Sequence, residues 1–104
     1  MENERCNGYS NRETWAANLW IANDEGSCNY WNGAAEEIAE DAKDKDDAIY
    51  TLEKRLQEEH EEGMPELTNG IYSDLLAGAL GRVNWMEIAE GLLEDFRRRA
   101  ANRG

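Results

Sequence analysis

Apolar residues recur at three- and four-residue steps in five separate windows of this chain, each bounded by residues that start or stop helices. In the first window Ser10 precedes Glu13 by three residues, the spacing of a capping box, so a helix is expected from about Asn11. Trp15, Leu19 and Ala22 then repeat on one face, with Ala16 and Trp20 alongside, which predicts the burial of two indoles. Gly26 stands where a left-handed cap would close that helix. Ser27 is the expected cap of a second helix. It carries Tyr30, Ala34, Ile38 and Ala42 in one row and Trp31, Ala35 and Ala39 in the next, with Glu36, Glu37, Glu40 and Asp41 opposite. Gly33 lies within it and predicts a close helix approach, because glycine there costs about 1 kcal/mol relative to alanine.

The third window opens at Asp44-Lys45-Asp46-Asp47, whose carboxylates complement the dipole of a helix N-terminus. Ala48, Ile49, Leu52 and Leu56 form its apolar stripe, and Gly63 with Pro65 marks its end. A fourth helix is expected over Ile71, Tyr72, Leu75, Leu76, Ala79 and Leu80, ending at Gly81. In the fifth, Asn84 is the cap, Glu87 its reciprocal partner, and Val83 with Ile88 a hydrophobic staple. Trp85, Ile88, Ala89, Leu92, Leu93 and Phe96 follow as a wide apolar face.

No window alternates as a half-buried strand does, and valine occurs once. The expected fold is therefore all-α, a compact single-domain bundle of about five helices. Residues 1–9 read as a flexible leader, 10–101 as the helical domain and 102–104 as a tail. Trp15, Leu19, Ile38, Leu52, Leu75, Ile88 and Leu92 are expected to share one core. The apolar faces of the second and fifth helices look wide for a chain of 104 residues, which leaves a homodimer, with Phe96 at its contact, as an open alternative.

Composition narrows the function classes. Hydrophobic residues make up 40% and charged residues 33%, a globular balance rather than a disordered one. No apolar run approaches the roughly 20 residues that span a bilayer, and Met1-Glu2-Asn3-Glu4-Arg5 does not introduce a signal segment, so no membrane partner and a cytoplasmic location are expected. A net charge of −12 argues against direct binding of nucleic acid by most of this surface and points to solubility, a halophilic or crowded setting, or a basic partner. Cys6 and Cys28 lack metal-site spacing and read as two free thiols, with a disulfide as the alternative. A single histidine, His60, argues against a structural zinc site, and no cofactor is implied.

Two blocks carry a resemblance. The first is Asn11, Thr14, Trp15, Leu19, Trp20, Asn23 and Asp24, followed by Tyr30. The second is Leu75, Leu76, Ala79, Leu80, Val83, Asn84, Trp85, Glu87, Ile88 and Ala89. Together they resemble a family of small proteins from phage and mobile-element genomes with no established activity. The resemblance implies a setting inside a host cell and implies no chemistry.

The acidic middle is the first candidate site. From Glu36 to Glu62 twelve acids face four bases, so this segment holds eight of the twelve excess negative charges. Glu36, Glu37, Glu40, Asp41, Asp44, Asp46, Asp47, Glu58, Glu59, Glu61 and Glu62 are the candidate partner-binding residues. Spread over two adjacent helices, such carboxylates can imitate the phosphates of a duplex, about one charge per 1.7 Å of axis, and so block the basic nucleic-acid-binding surface of a host defence or regulatory protein. A merely solvated face is the competing account. A second candidate is the polar set Asn11, Thr14, Asn18, Asn23 and Asp24, which with Trp15 and Trp20 either lines a pocket or caps helices. A pocket there corresponds to an adaptor domain that binds a protein or peptide through the aromatic first helix.

Other constellations are weaker. Asp41, Asp44, Asp46 and Asp47 lack the central glycine of a calcium loop. His60 sits among Glu58, Glu59, Glu61 and Glu62 without a nucleophile, Cys28 lacks a companion histidine, and pairs such as Glu36 with Glu40 carry no sign of a shifted pKa. No enzyme is expected. The link Gly81-Arg82-Val83-Asn84 has the length of a helix-turn-helix connection, but Glu87, Glu90, Glu94 and Asp95 oppose DNA reading by the helix that follows. Arg97, Arg98, Arg99 and Arg103 suit a helix C-terminus, or contact with an acidic surface or second subunit.

Overall fold

A computed structural model of the chain describes residues 8–66 and 70–103, the side chain of Arg103 excepted. Five helices follow in order: α1 (Arg12–Asn23), α2 (Glu25–Asp41), α3 (Lys45–Glu62), α4 (Gly70–Arg82) and α5 (Trp85–Arg103). No strand occurs among the described residues. The fold is all-α and forms one domain. Cys6 and the rest of residues 1–7 lie outside the described part. The last helix runs through residues 102 and 103, which were expected in a tail.

Each helix start has a local cause. Asn11 is extended (φ −157°, ψ 175°) and its side-chain oxygen accepts the Thr14 amide at 2.8 Å. The capping box expected from Ser10 and Glu13 is therefore replaced by an Asn11 cap, because the Ser10 hydroxyl is committed to Glu87 across the fold. Asp24 serves two helices: its N–H donates to the Trp20 carbonyl to end α1, and its carboxylate accepts the Ser27 amide to begin α2. That leaves no room for the left-handed cap expected at Gly26 or the Ser27 cap, and both residues sit in the first turn of α2. Among the described residues only Gly8 is a glycine with positive φ. The Asp44 and Gly63 signals stand as expected, with Asp44 accepting from Asp47 and the Gly63 N–H closing α3, and Asn84 caps α5 by accepting from the Glu87 N–H. Glu87 does not return the bond, because the Asn84 N–H donates to Thr14 and the Glu87 carboxylate accepts from Ser10.

The core lies between α2, α3 and α5. Trp31, Ala34, Ala35 and Ile38 of α2 meet Ala48, Leu52 and Leu56 of α3 and Trp85, Ile88, Ala89, Leu92 and Leu93 of α5. The wide faces of α2 and α5 are thus used within the chain. Full burial of one such leucine or isoleucine is worth about 1.5–3 kcal/mol. Ile38, Leu52, Ile88 and Leu92 take their expected places; Trp15 is only half-buried, and Leu19 and Leu75 are 40% and 63% exposed. The inward residues of α1 are instead Thr14, Ala17 and Ile21, one or two positions removed from the expected stripe. A hydrogen bond from the Asn84 N–H to Thr14 Oγ1 draws Thr14 inward and turns the helix by about 100°. Trp20 is consequently 73% exposed.

Gly33 faces open space rather than a neighbouring helix, contrary to expectation, because it lies on the side of α2 away from the buried row. No residue of α4 is buried; this helix leans on α1 and touches the core through Leu80. The molecule is elongated, with extents of 51 × 32 × 26 Å, and its radius of gyration of 14.8 Å lies a little above the roughly 13 Å typical of a domain this size.

Candidate partner-binding surfaces

α2 and α3 are joined by the short turn Ala42-Lys43-Asp44 and run antiparallel. Tyr30 near the start of α2 meets Glu59 near the end of α3, while Asp41 and Asp47 line one groove at the turn. Their apolar rows point into the core, so the carboxylates between those rows are held on the outside of a packed hairpin. Glu36, Glu37, Glu40, Asp41, Asp44, Asp46, Glu58, Glu61 and Glu62 are exposed, and Asp47 and Glu59 are half-buried.

These acids divide by what they touch. Asp44 and Asp47 work on the backbone: Asp44 caps α3, and Asp47 accepts the Lys43 amide at 3.1 Å. Arg55 pairs with Glu59 at 3.0 Å and approaches Glu37 at 3.6 Å. Its guanidinium also donates to Tyr30 Oη at 2.9 Å while Tyr30 donates to Glu59. Hydrogen bonds to Tyr30 and then Glu59 raise the Arg55 pKa further, against a smaller opposing effect of burial. Glu61 accepts from Gln57. Glu36, Glu40, Asp41, Asp46, Glu58 and Glu62 make no ion pair or side-chain hydrogen bond among the described residues. Sequence reasoning missed Arg55 and Tyr30, whose roles depend on the pairing of two helices.

Behind the hairpin lies a stack of rings. His60 is sandwiched between Trp31 and Trp85, with centroids 5.6 and 4.9 Å away and planes within about 20° of parallel. Its Nδ1 lies 2.8 Å from the Leu56 carbonyl. Tyr30 abuts Trp31 edge-on at 5.0 Å, and Arg55 lies over the Tyr30 ring. The ring of His60 therefore braces the core beneath the acidic face. Its place was legible, since Ala48, Leu52, Leu56 and His60 form one four-residue row.

Asn11 and Thr14 of the first sequence block and Asn84 and Glu87 of the second meet in a single junction where α1 and α5 begin. Glu87 accepts from both the N–H and the hydroxyl of Ser10, at 3.0 and 2.7 Å. Thr14, fully buried, accepts the Asn84 N–H at 2.8 Å and donates to Asn11 at 2.7 Å. Asn11 donates to the Arg82 carbonyl, and Arg82 pairs with Glu13 at 3.2 Å. Asn84 donates to Ser10 as well. The cap of each helix is thus completed by the other, and this junction uses the polar side chains of Asn11 and Thr14.

Asn18 donates to Tyr9 Oη at 2.7 Å, and both line a cleft of about 390 Å³ between α1, α2 and α5 that also includes Cys28, Asn32, Asp95 and Arg99. Burial first, and then the charges of Glu87 and Asp95, raise the Tyr9 pKa. The Cys28 thiol is free and accepts from Asn32. Asn23 and Asp24 line a shallower groove of about 260 Å³ with Leu19 and Trp20. No group of three or more His, Cys, Asp or Glu placed to hold a metal ion occurs among the described residues, Asp41, Asp44, Asp46 and Asp47 included. Arg98 pairs with Asp95 at 3.0 Å. No helix among the described residues is long and apolar enough to cross a membrane.

No curated protein and no solved structure matches the chain. A family model described as a family of unknown function, DUF7249, matches residues 2–95, and the chain belongs to that family.

Proposed function

We propose that the protein is an acidic binding protein of phage or mobile-element origin that blocks the basic nucleic-acid-binding surface of a host defence or regulatory protein. One observation carries this reading. Six carboxylates of the α2–α3 hairpin, those of Glu36, Glu40, Asp41, Asp46, Glu58 and Glu62, stand exposed and without an ion pair among the described residues, on helices anchored from behind by the core. Alpha-helical rise makes the 18-residue α3 about 27 Å long, so eight excess charges fall about one per 3.4 Å. That is the phosphate spacing of one DNA strand and half the density of the duplex. A groove built for phosphates meets a comparable field here, carried on two helices whose backbones are held in place by the core.

The test replaces Glu36, Glu40, Glu58 and Glu62 by lysine. These positions support no cap or ion pair, so the fold survives. The unaltered protein is expected to capture a basic partner from host lysate, to lose it as salt rises, and to release it to added duplex DNA. The fourfold variant is expected to capture none. Retention of the partner by that variant, together with indifference to duplex DNA, overturns the proposal.

Exposure of Trp20 above the Leu19, Asn23 and Asp24 groove favours a second reading, an adaptor that binds a protein or peptide through α1. Loss of a captured partner in Trp20→Ala, with the lysine variant unaffected, selects it.

A further inference from the structure

Three helices wall the cleft between α1, α2 and α5, and each does so with residues four apart: Asn18 and Ala22 on α1, Cys28 and Asn32 on α2, and Gly91, Asp95 and Arg99 on α5. Ile21 and Leu92, otherwise buried in the core, add an apolar wall. The volume of about 390 Å³ falls at the low end of the roughly 300–1,000 Å³ of small-molecule sites. Gly91 keeps the space open. A Cβ at that position meets nothing within 4 Å, so no neighbour in the fold requires a glycine there, although glycine weakens a helix.

The polar groups of the cleft have bonding capacity left over. Asn18 spends its amide nitrogen on Tyr9 Oη at 2.7 Å and Asn32 spends its own on the Cys28 sulfur at 3.3 Å, which leaves both side-chain carbonyl oxygens as acceptors. Tyr9 accepts from Asn18 and keeps its own proton to donate; burial first, and then the charges of Glu87 and Asp95, hold that proton in place. Arg99 stands four residues after Asp95, the favourable order for an ion pair along a helix. Asp95 pairs instead with Arg98 at 3.0 Å, and Arg99 makes no ion pair or hydrogen bond among the described residues. One small space thus holds an unspent guanidinium and a phenol proton opposite a carboxylate and two amide oxygens. A net charge of −12 disfavours a small anion here and draws a small cation toward the hairpin, whereas a ligand that bears both signs feels neither effect. We propose that this cleft binds a small zwitterion of the α-amino-acid type, with its carboxylate on Arg99 and the Tyr9 hydroxyl and its ammonium on Asp95 and the carbonyl oxygens of Asn18 and Asn32. Its side chain lies against Ile21 and Leu92, which selects an apolar one.

The probe is L-leucine, added to the full chain during thermal unfolding followed by tryptophan fluorescence. At about 10 mM it is expected to raise Tm by about 5 °C, the shift that a Kd of about 2 mM produces in a domain of this size. Two analogues of the same shape divide the charges: leucinamide lacks the carboxylate and 4-methylpentanoate lacks the ammonium. Each is expected to shift Tm by less than about 1 °C. Arg99→Gln, at an exposed position, should fold as the unaltered protein does and lose the response to leucine. Gly91→Leu should fill the cleft and also lose the response, while its own Tm stays level or rises because a glycine has left the helix. Absence of a shift with leucine overturns the proposal, as does an equal shift with either analogue. A response to leucine that survives in Arg99→Gln or in Gly91→Leu overturns it too.

Discussion

Replacing Thr14 by valine keeps the shape of a fully buried side chain and removes its hydroxyl, which makes two bonds at the junction of α1 and α5. Thr14 Oγ1 accepts the Asn84 N–H at 2.8 Å and donates to Asn11 at 2.7 Å. After the change the Asn84 N–H is enclosed without an acceptor, at a cost of about 1–3 kcal/mol, and Asn11 loses one of its two donors. The combined destabilisation is expected to be about 2–3 kcal/mol. Thr14→Ser is the control. It preserves both bonds and deletes one buried methyl group, worth about 1 kcal/mol. At about 5 °C per kcal/mol for a domain of this size, valine should lower Tm by about 10–15 °C and serine by about 5 °C. Urea unfolding followed by tryptophan fluorescence, with thermal unfolding by circular dichroism, measures both. If valine proves as stable as serine, the junction holds by packing alone and the argument from its hydrogen bonds fails.

Further expectations rest on other parts of the molecule. Gly33→Ala and Gly78→Ala, where a Cβ meets nothing within 4 Å, should each stabilise the protein by about 0.5–1 kcal/mol, seen as a raised urea midpoint; a lowered midpoint would reveal an unseen contact. His60→Ala should cost about 1–3 kcal/mol and change the near-ultraviolet dichroism of Trp31 and Trp85, because two ring contacts are lost; an unaltered spectrum would place His60 outside the stack. The Glu13 pKa lies below its ordinary value of 4.5, through a hydrogen bond to its own backbone N–H and then one from Arg82. A depressed carboxylate pKa stabilises the fold above the unfolded value and loses that effect as pH falls through the folded one. The Tm gap between the unaltered protein and Glu13→Gln should therefore close on acidification below about 4.5, and a gap that widens there would contradict the assignment.

Much of this fold is legible along the chain because its determinants are local. Asp44, Gly63 and Asn84 act on residues within four positions, so they can be recognised without knowledge of what packs nearby. Ile38, Leu52, Ile88 and Leu92 fall at the centres of broad apolar faces, where a small rotation changes nothing. The first helix has a narrower margin. Trp15 and Leu19 look more apolar than Thr14 and Ala17, yet a hydroxyl that satisfies a distant amide turns the helix toward the smaller pair. Ser10 has the local signature of a cap, whereas its partner in the fold, Glu87, lies 77 positions away. The acidic face was legible residue by residue, since exposed charge follows from the pattern of buried positions. Its partial neutralisation by Arg55 required knowing that Tyr30 and Glu59 meet.

The junction at the starts of α1 and α5 has a consequence for how the chain is made. During synthesis the first helix emerges with its Ser10 and Thr14 groups still waiting for residues 84 and 87, so the amino-terminal three helices cannot complete their own beginning. Closure of that ring of bonds waits until the start of α5 has been made and commits the earlier segments together. A fragment ending before α5 should consequently behave as a fluctuating helical chain rather than a smaller folded unit. Splitting the protein into independently folding halves is then closed to any simple truncation.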